Sequence, residues 1–485
     1  MTEISKETHY TENVQEHLQQ VQRLLEKHAL VTSVAQQQEI PRAERQELVD
    51  LLLQKRHFSE LQEKLNELHP ADIAFILEAM PIEQRLLVWD LVKADRDGEI
   101  LIEVSDAVRE SLIAAMSREE LREAAEQLDT NEIADLAHDL PQSVMRDVFK
   151  SLSIEEREQL RAAMSYPEDA VGALMDFDMV TIREDVTLEV VSRYLRRFDN
   201  LPDHTDQLFV LDRDDQFKGV LPLNQLLLNE PEMAVSALML TDTITLHPDD
   251  KAQKAAQAFE RYDLVSAPVV DEDGKLLGRV PVNAVVDFIR AESESDVLNL
   301  AGLREEEDIF ASVWKSAKNR WMWLALNLCT AFFASRVIGG FEHTIEKFVA
   351  LAALMPIVAG IAGNSGNQTI TIIIRSLALG QINPGNARQL LAKELAISLL
   401  NGLVWGGIAG GFAYLLYKSV PLGLVMTGAM LLNLLLGALV GMLIPLTMQR
   451  LGRDPAIGSS VLLTAITDSG GFFIFLGLAT IFLIP

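Results

Sequence analysis

The sequence has a single cysteine, Cys329, in 485 residues, so an intrachain disulfide is excluded and a reducing compartment fits the polar part of the chain. Basic residues are scarce: 42 Lys and Arg stand against 70 Asp and Glu, a formal net charge of −28. A chain so acidic repels phosphate backbones, and no nucleic-acid partner is expected. The N-terminus, MTEISKETHYTENVQEH, lacks the basic-then-apolar pattern of a secretory signal, and the first part is expected to stay in the cytoplasm. No phosphate-binding Walker loop, zinc-binding His-Glu-x-x-His pair or Ser/His pair at membrane depth occurs, so an enzyme is not expected.

What is present divides sharply near residue 312. The first part is polar and acidic. After residue 312 only 11 basic and 5 acidic residues remain in an apolar, glycine-dotted chain. Residues 14–165 read as helices, with apolar residues three and four apart at Leu48, Leu51 and Leu52 and at Leu61, Leu65 and Leu68. Two segments, 68-LHPADIAFILEAMPIEQRLLVWDLV and 128-LDTNEIADLAHDLPQSVMRDVFKSL, repeat a helix–proline–helix pattern. They predict a short superhelical array, with an ordinary helical bundle as the alternative. In 168–295 a second pattern occurs twice: strand, helix, strand, Asp/Gly turn, strand, helix. This order resembles a pair of CBS domains, regulatory modules that bind adenine nucleotides or metals.

Residues 297–318 read as a helix leading into five apolar segments near 319–340, 348–376, 389–417, 423–447 and 458–483. Their basic loops fall mainly on the side of the N-terminal region, which the positive-inside rule makes cytoplasmic.

Two of these spans are unusual. The second, 355-MPIVAGIAGNSGNQTITIIIRSLALG-380, is broken by proline, glycine and amides. Pro356, Gly360, Gly363 and Asn367 share one helical face, and Asn364 and Gln368 add amide oxygens. Small residues alone also serve helix packing, but several amides in one span need partners. The fifth span carries Asp468 in a polar and small stripe with Ser460, Thr464, Thr467 and Gly471, opposite Leu462, Ile466 and Phe473. A carboxylate at membrane depth costs about 3 kcal/mol or more, which marks it as a pathway residue or half of an ion pair. Of the basic residues only Arg336 approaches a matching depth, so a cation from solution is the better counter-charge. The oxygen donors favour a hard ion: Mg²⁺, Ca²⁺, Mn²⁺ or Na⁺.

The run 356-PIVAGIAGNSGNQ-368 with Arg375 and Gly380, the run 464-TAITD-468, and 165-SYPEDAVGALM-175 and 291-AESESDVLNLAG-302 resemble the MgtE magnesium channels over nearly the whole chain. That resemblance implies a multidomain membrane protein: an all-α superhelical N domain (1–165), an α/β tandem CBS pair (166–230 and 231–295), a connecting plug helix (296–318) and a five-helix α transmembrane pore domain (319–485). It implies a homodimer in the lipid bilayer of the inner (plasma) membrane, with a pore for Mg²⁺ at the dimer axis. Asp468 matches the pore carboxylate, Asn367 the pore asparagine, and Gly360 and Gly363 the glycines around it, with Thr464 one turn before the carboxylate. Val461 stands where relatives often have proline. The resemblance also implies gating by cytoplasmic Mg²⁺ held between facing carboxylates, at Asp263, Asp287, Glu292, Asp296 and Asp135. Ser295, Ala284 and Gln253 replace acids, so site number or affinity is expected to differ. ATP binding stays uncertain. Pro222-Leu223-Asn224 and Pro281-Val282-Asn283 lack the hydroxyl and carboxylate that often hold a nucleotide, and proline offers no N–H. Two alternatives remain: exchange of Mg²⁺ against Na⁺ or H⁺, and a CBS-regulated membrane sensor that conducts nothing.

Overall fold

The computed structural model describes residues 14–26, 58–303, 307–382 and 385–484. The chain forms two compact units: Met1–Arg290 with Glu306–Ala311, and Ala291–Glu305 with Ser312–Pro485.

The first unit begins with short helices joined by tight turns. Pro70 opens helix Pro70–Glu78, where its missing N–H costs nothing, and Pro81 precedes Ile82–Trp89. Sixty residues on, Thr130–Leu136 is followed by Pro141 and Gln142–Ser151. The helix–proline–helix repeat expected from the sequence is therefore present, while Leu48, Leu51 and Leu52 lie outside the described residues. Glu132 secures the start of the third of these helices by accepting from the Asp129 N–H at 2.9 Å. Ile73, Leu77, Ile100, Leu112, Ile133, Val148 and Leu160 from successive helices form one buried core.

Arg85 is fully buried in this core. Its guanidinium donates to Leu77 O (2.9 Å), Met80 O (3.1 Å) and Ser111 Oγ (3.2 Å). Two further bonds reach Asp308, from the segment just ahead of the first membrane helix, at 2.6 and 3.0 Å.

The tandem α/β repeat follows. Strands β1 (Thr181–Arg183), β2 (Gln207–Leu211) and β3 (Phe217–Pro222) form one sheet, β1 parallel and β3 antiparallel to β2. Strands β4 (Ser266–Val270) and β5 (Leu276–Pro281) form the second. The two hairpins share one register. Gln207 faces Pro222 as Ser266 faces Pro281, and each has a bulge one residue before the hairpin's end. In the second repeat the first strand shrinks to a single parallel bridge, Leu246 to Val269. The halves are tied where Gln207 Nε2 donates to Ser266 O and Ser266 Oγ donates to Asp206 Oδ1.

Helix α1 (Val282–Ala301) corrects the expected connecting helix at 296–318. It starts within the last CBS element and stops at Gly302, which takes a left-handed φ of 81°. The Leu303 N–H closes back on Leu298 O at 2.9 Å, the six-to-one bond of a glycine-terminated helix. A new helix starts after Ser312, whose Oγ accepts from Lys315 N.

Five long helices follow: α2 (Val313–Gly339), α3 (Ala350–Ala378), α4 (Ala387–Tyr417), α5 (Val420–Arg450) and α6 (Ser459–Leu483). Each covers one of the five apolar segments expected. Four are long and apolar enough to cross a membrane by length and composition; α3 is not among them, since its amides and glycines dilute its apolar character. Yet α3 packs within the same bundle, against α5 and α6. Over the most apolar stretch of each helix, the buried share is 6% in α2 and 56% in α5. Helix α5 is thus the spine of the bundle, and α2 lies at its margin.

Candidate ion site

Gly458, at φ 76°, turns the chain into α6, and Asp468 is the tenth residue of that helix, about 14 Å from its start. The Asp468 side chain is half-buried. Among the described residues it has no hydrogen bond and no basic partner within 4 Å. Leu462, Ile466 and Phe473 are exposed on another face of α6, as their spacing predicts. Thr464 is half-open and donates to Ser460 O at 2.9 Å. Thr467 differs from its expected place in the open stripe: it is fully buried and donates to Leu463 O.

Helix α3 lies alongside. A Cβ added at Gly363 would sit 3.7 Å from Thr467 Oγ1, an ordinary contact that places Gly363 at the seam, whereas at Gly366 it would stand 2.7 Å from Leu463, so glycine there lets the two helices approach. Nearer the start of α6, Ser460 Oγ donates to Asn367 Oδ1 at 3.3 Å. The structure thus brings Asn367 and Gly363 to the seam with α6, while Gly360 is exposed on α3. Pro356, Asn364 and Gln368 are exposed as well. A 480 Å³ depression is lined by Asn364, Asn367, Gln368, Thr371 and Ile372. Among the described residues no three His, Cys, Asp or Glu side chains converge as bare-metal ligands. One carboxylate on a helix that also carries hydroxyls, packed against the amide-bearing α3, instead suits an ion that keeps its water.

Two buried polar residues of the bundle went unnoticed in the sequence. Asn433 on α5 is fully buried and donates from Nδ2 to Val358 O at 3.0 Å. Glu394 on α4 is buried and accepts from Thr369 Oγ1 on α3 at 3.3 Å. Asn433 is a lone polar residue inside an apolar run, the signal that could have found it; Glu394, next to Lys393 near the start of α4, carries no such signal.

The acidic residues expected to sense cations fall into separate groups. In the first unit Asp135 has its carboxyl pushed up to about 6. Loss of water is the main cause, opposed by Arg109 and reinforced by Glu132 and Asp287. Asp135 nonetheless stands exposed at the surface. Asp287 is also raised, by desolvation, with Arg290 pulling it down. Asp263 stands apart as the left-handed cap of helix Ala252–Tyr262. In the second unit Asp296 is pushed up to about 6 by desolvation, then by Asp454 and Glu292. Asp454 was not among the expected residues; it also accepts from Asn299 Nδ2 at 3.3 Å.

A 600 Å³ cleft in the first unit is lined by Asp129, Glu132, Asp176, Asp178, Asp203 and Arg279, among others, and includes Asn283. Arg279 is committed to Asp176 through two bonds, at 2.8 and 3.0 Å. The remaining carboxylates give this cleft a negative field that attracts cations.

Three family models match the chain: MgtE, a divalent cation transporter, over 355–478; the MgtE intracellular N domain over 68–169; and the CBS domain over 171–230 and 235–291. The magnesium transporter MgtE of Thermus thermophilus is 30% identical over 440 residues, 89% of this chain and 97% of its own length. That of Bacillus subtilis is 27% identical over 433 residues, covering 89% and 96%. The crystal structure of the cytosolic domain of the Mg²⁺ channel MgtE in complex with ATP is 29% identical, with a TM-score of 0.45, covering 49% of this chain and 97% of that one. With all three segments matched in order and relatives aligned end to end, the chain belongs to the MgtE family of divalent cation transporters.

Proposed function

We propose that this chain is a Mg²⁺ channel of the inner (plasma) membrane, working as a homodimer with its N-terminal domains in the cytoplasm. The observation that carries this reading is Asp468: a half-open carboxylate on α6, the helix that packs against the amide-bearing α3, one turn beyond Thr464 and with no basic partner within reach among the described residues. It attracts a hydrated divalent ion, and Asn367, Thr464 and the open backbone at Gly360 and Gly363 offer hydrogen-bond partners to that ion's water. The relatives named as magnesium transporters support Mg²⁺ as the cargo. The exposed amides of α3 support a second copy, since bare amides facing lipid lack partners. Cytoplasmic Mg²⁺ closes the pore by neutralising the carboxylates at Asp135, Asp287, Asp263, Glu292 and Asp296, whose like charges otherwise repel.

The test is Mg²⁺ influx into proteoliposomes at an imposed membrane potential, without a Na⁺ or H⁺ gradient. Wild-type flux that is lost in Asp468→Asn, with the variant still folded, is the expected result. Unaltered flux in that variant would sink the assignment. One observation favours exchange as a second reading: Glu394 is another carboxylate buried among the membrane helices. Flux that starts only when a Na⁺ or H⁺ gradient is added would select it.

A further inference from the structure

Asn433 sits where the two helices of the ion site meet the spine of the bundle. Its side chain has no exposure. Nδ2 donates to Val358 O of α3 at 3.0 Å, and Oδ1 has no partner among the described residues. On its other side lies Gly471 of α6: a Cβ there would stand 2.3 Å from Nδ2 and 3.2 Å from Oδ1. The amide is therefore wedged between α3 and α6. Gly471 is one turn beyond Asp468, and Val358 is two residues before Gly360. At the other end of the same seam Ser460 is bonded to Asn367. Asp468, Thr464 and Gly363 occupy the stretch between these two ties.

A buried amide with an unsatisfied oxygen is unfavourable, and an apolar side chain in so apolar a helix would carry no such penalty. Packing alone gives no reason for asparagine here. We propose that Asn433 is a positioning residue for ion passage: its amide sets the separation of α3 and α6, and so the width available to the ion's water at Asp468. The proposal rests on the reading of Asp468 as the ion site.

The experiment measures fluxes of Mg²⁺ and of the larger Ca²⁺ in proteoliposomes for wild type, Asn433→Ala, Asn433→Leu, Gly471→Ala and the double variant Asn433→Ala/Gly471→Ala, with thermal unfolding of each. A Gly471 methyl collides with the amide, and deleting the amide lets the helices close. Each single variant should shift the Mg²⁺ to Ca²⁺ flux ratio about tenfold, and the double variant, in which the methyl replaces the amide as spacer, should recover most of it. Asn433→Leu, bulkier toward Gly471 and without the bond to Val358 O, should still fold and show an altered ratio. A wild-type ratio in a folded Asn433→Leu, or additive losses in the double variant, overturns the proposal. Asp468→Asn runs alongside: its losing flux while the Asn433 variants keep the wild-type ratio rejects the positioning role alone, and its keeping flux rejects the ion site and this role together.

Discussion

Arg85 and Asp308 stand 223 residues apart in the chain and are joined by two hydrogen bonds within one compact unit, with neither side chain more than 6% exposed. A buried pair of this kind is fragile to the loss of one partner, because the other charge is left without water or counter-charge. Asp308→Ala should lower the stability of the soluble unit by about 3–5 kcal/mol, read from denaturant unfolding of the full chain. Replacing Arg85 with Met together with Asp308→Ala should recover much of that loss.

Asp97 is buried in the first unit and its carboxyl is pushed up to about 7, by desolvation first and then by Glu120 and Asp95. The folded form therefore holds a proton more tightly than the unfolded chain. Ionisation opposes folding fully above pH 7, and the effect vanishes as pH falls below the unfolded value near 4. Asp97→Asn should stabilise the unit at pH 8 by up to about 3 kcal/mol and give no advantage at pH 4, in melting curves at the two pH values.

Asp296 and Glu292 lie one helical turn apart, with Asp454 adding to the same field. Because the Asp296 carboxyl is raised to about 6, its charge burdens the folded state above that pH and is gone well below it. Protons and divalent cations then relieve the same repulsion. Mg²⁺ should raise the melting temperature of the full chain in detergent at pH 8 and have little effect at pH 5. In Asp296→Asn the Mg²⁺ effect should shrink at pH 8.

Glu394 separates the two transport readings. In a channel with its ion site at Asp468, Glu394→Gln keeps an acceptor for Thr369 Oγ1 and should leave voltage-driven Mg²⁺ flux unchanged. If Glu394 carries a coupling ion, the same variant abolishes exchange driven by Na⁺ or H⁺. Flux assays under the two driving forces decide between them.

The sequence carried the periodic features well. The helix–proline–helix repeat, the twofold strand order and the five apolar segments all follow from local pattern, and the polar faces of α3 and α6 were legible because amides and a carboxylate are rare in such runs. Features set by a single backbone angle or by distant partners were not. The end of α1 depends on Gly302 adopting a left-handed φ, which a glycine allows but does not announce. Thr467 looked equivalent to Asp468 at helical spacing, yet packing against α3 turned it inward. Asn433 and Asp454 acquire meaning only from the neighbours the fold gives them, Gly471 and Asp296.

The clasp on Asp308 also bears on the order in which the molecule is made. Arg85 leaves the ribosome 223 residues before the carboxylate that neutralises it, and the whole CBS pair is synthesised in between. At about 5–20 residues per second, that interval is on the order of ten to forty seconds. Throughout it, the N domain must hold an uncompensated guanidinium in its core or remain partly open. Its final consolidation therefore coincides with the arrival of the first membrane helix, which begins five residues after Asp308. The soluble domain is completed only when the chain is about to enter the bilayer.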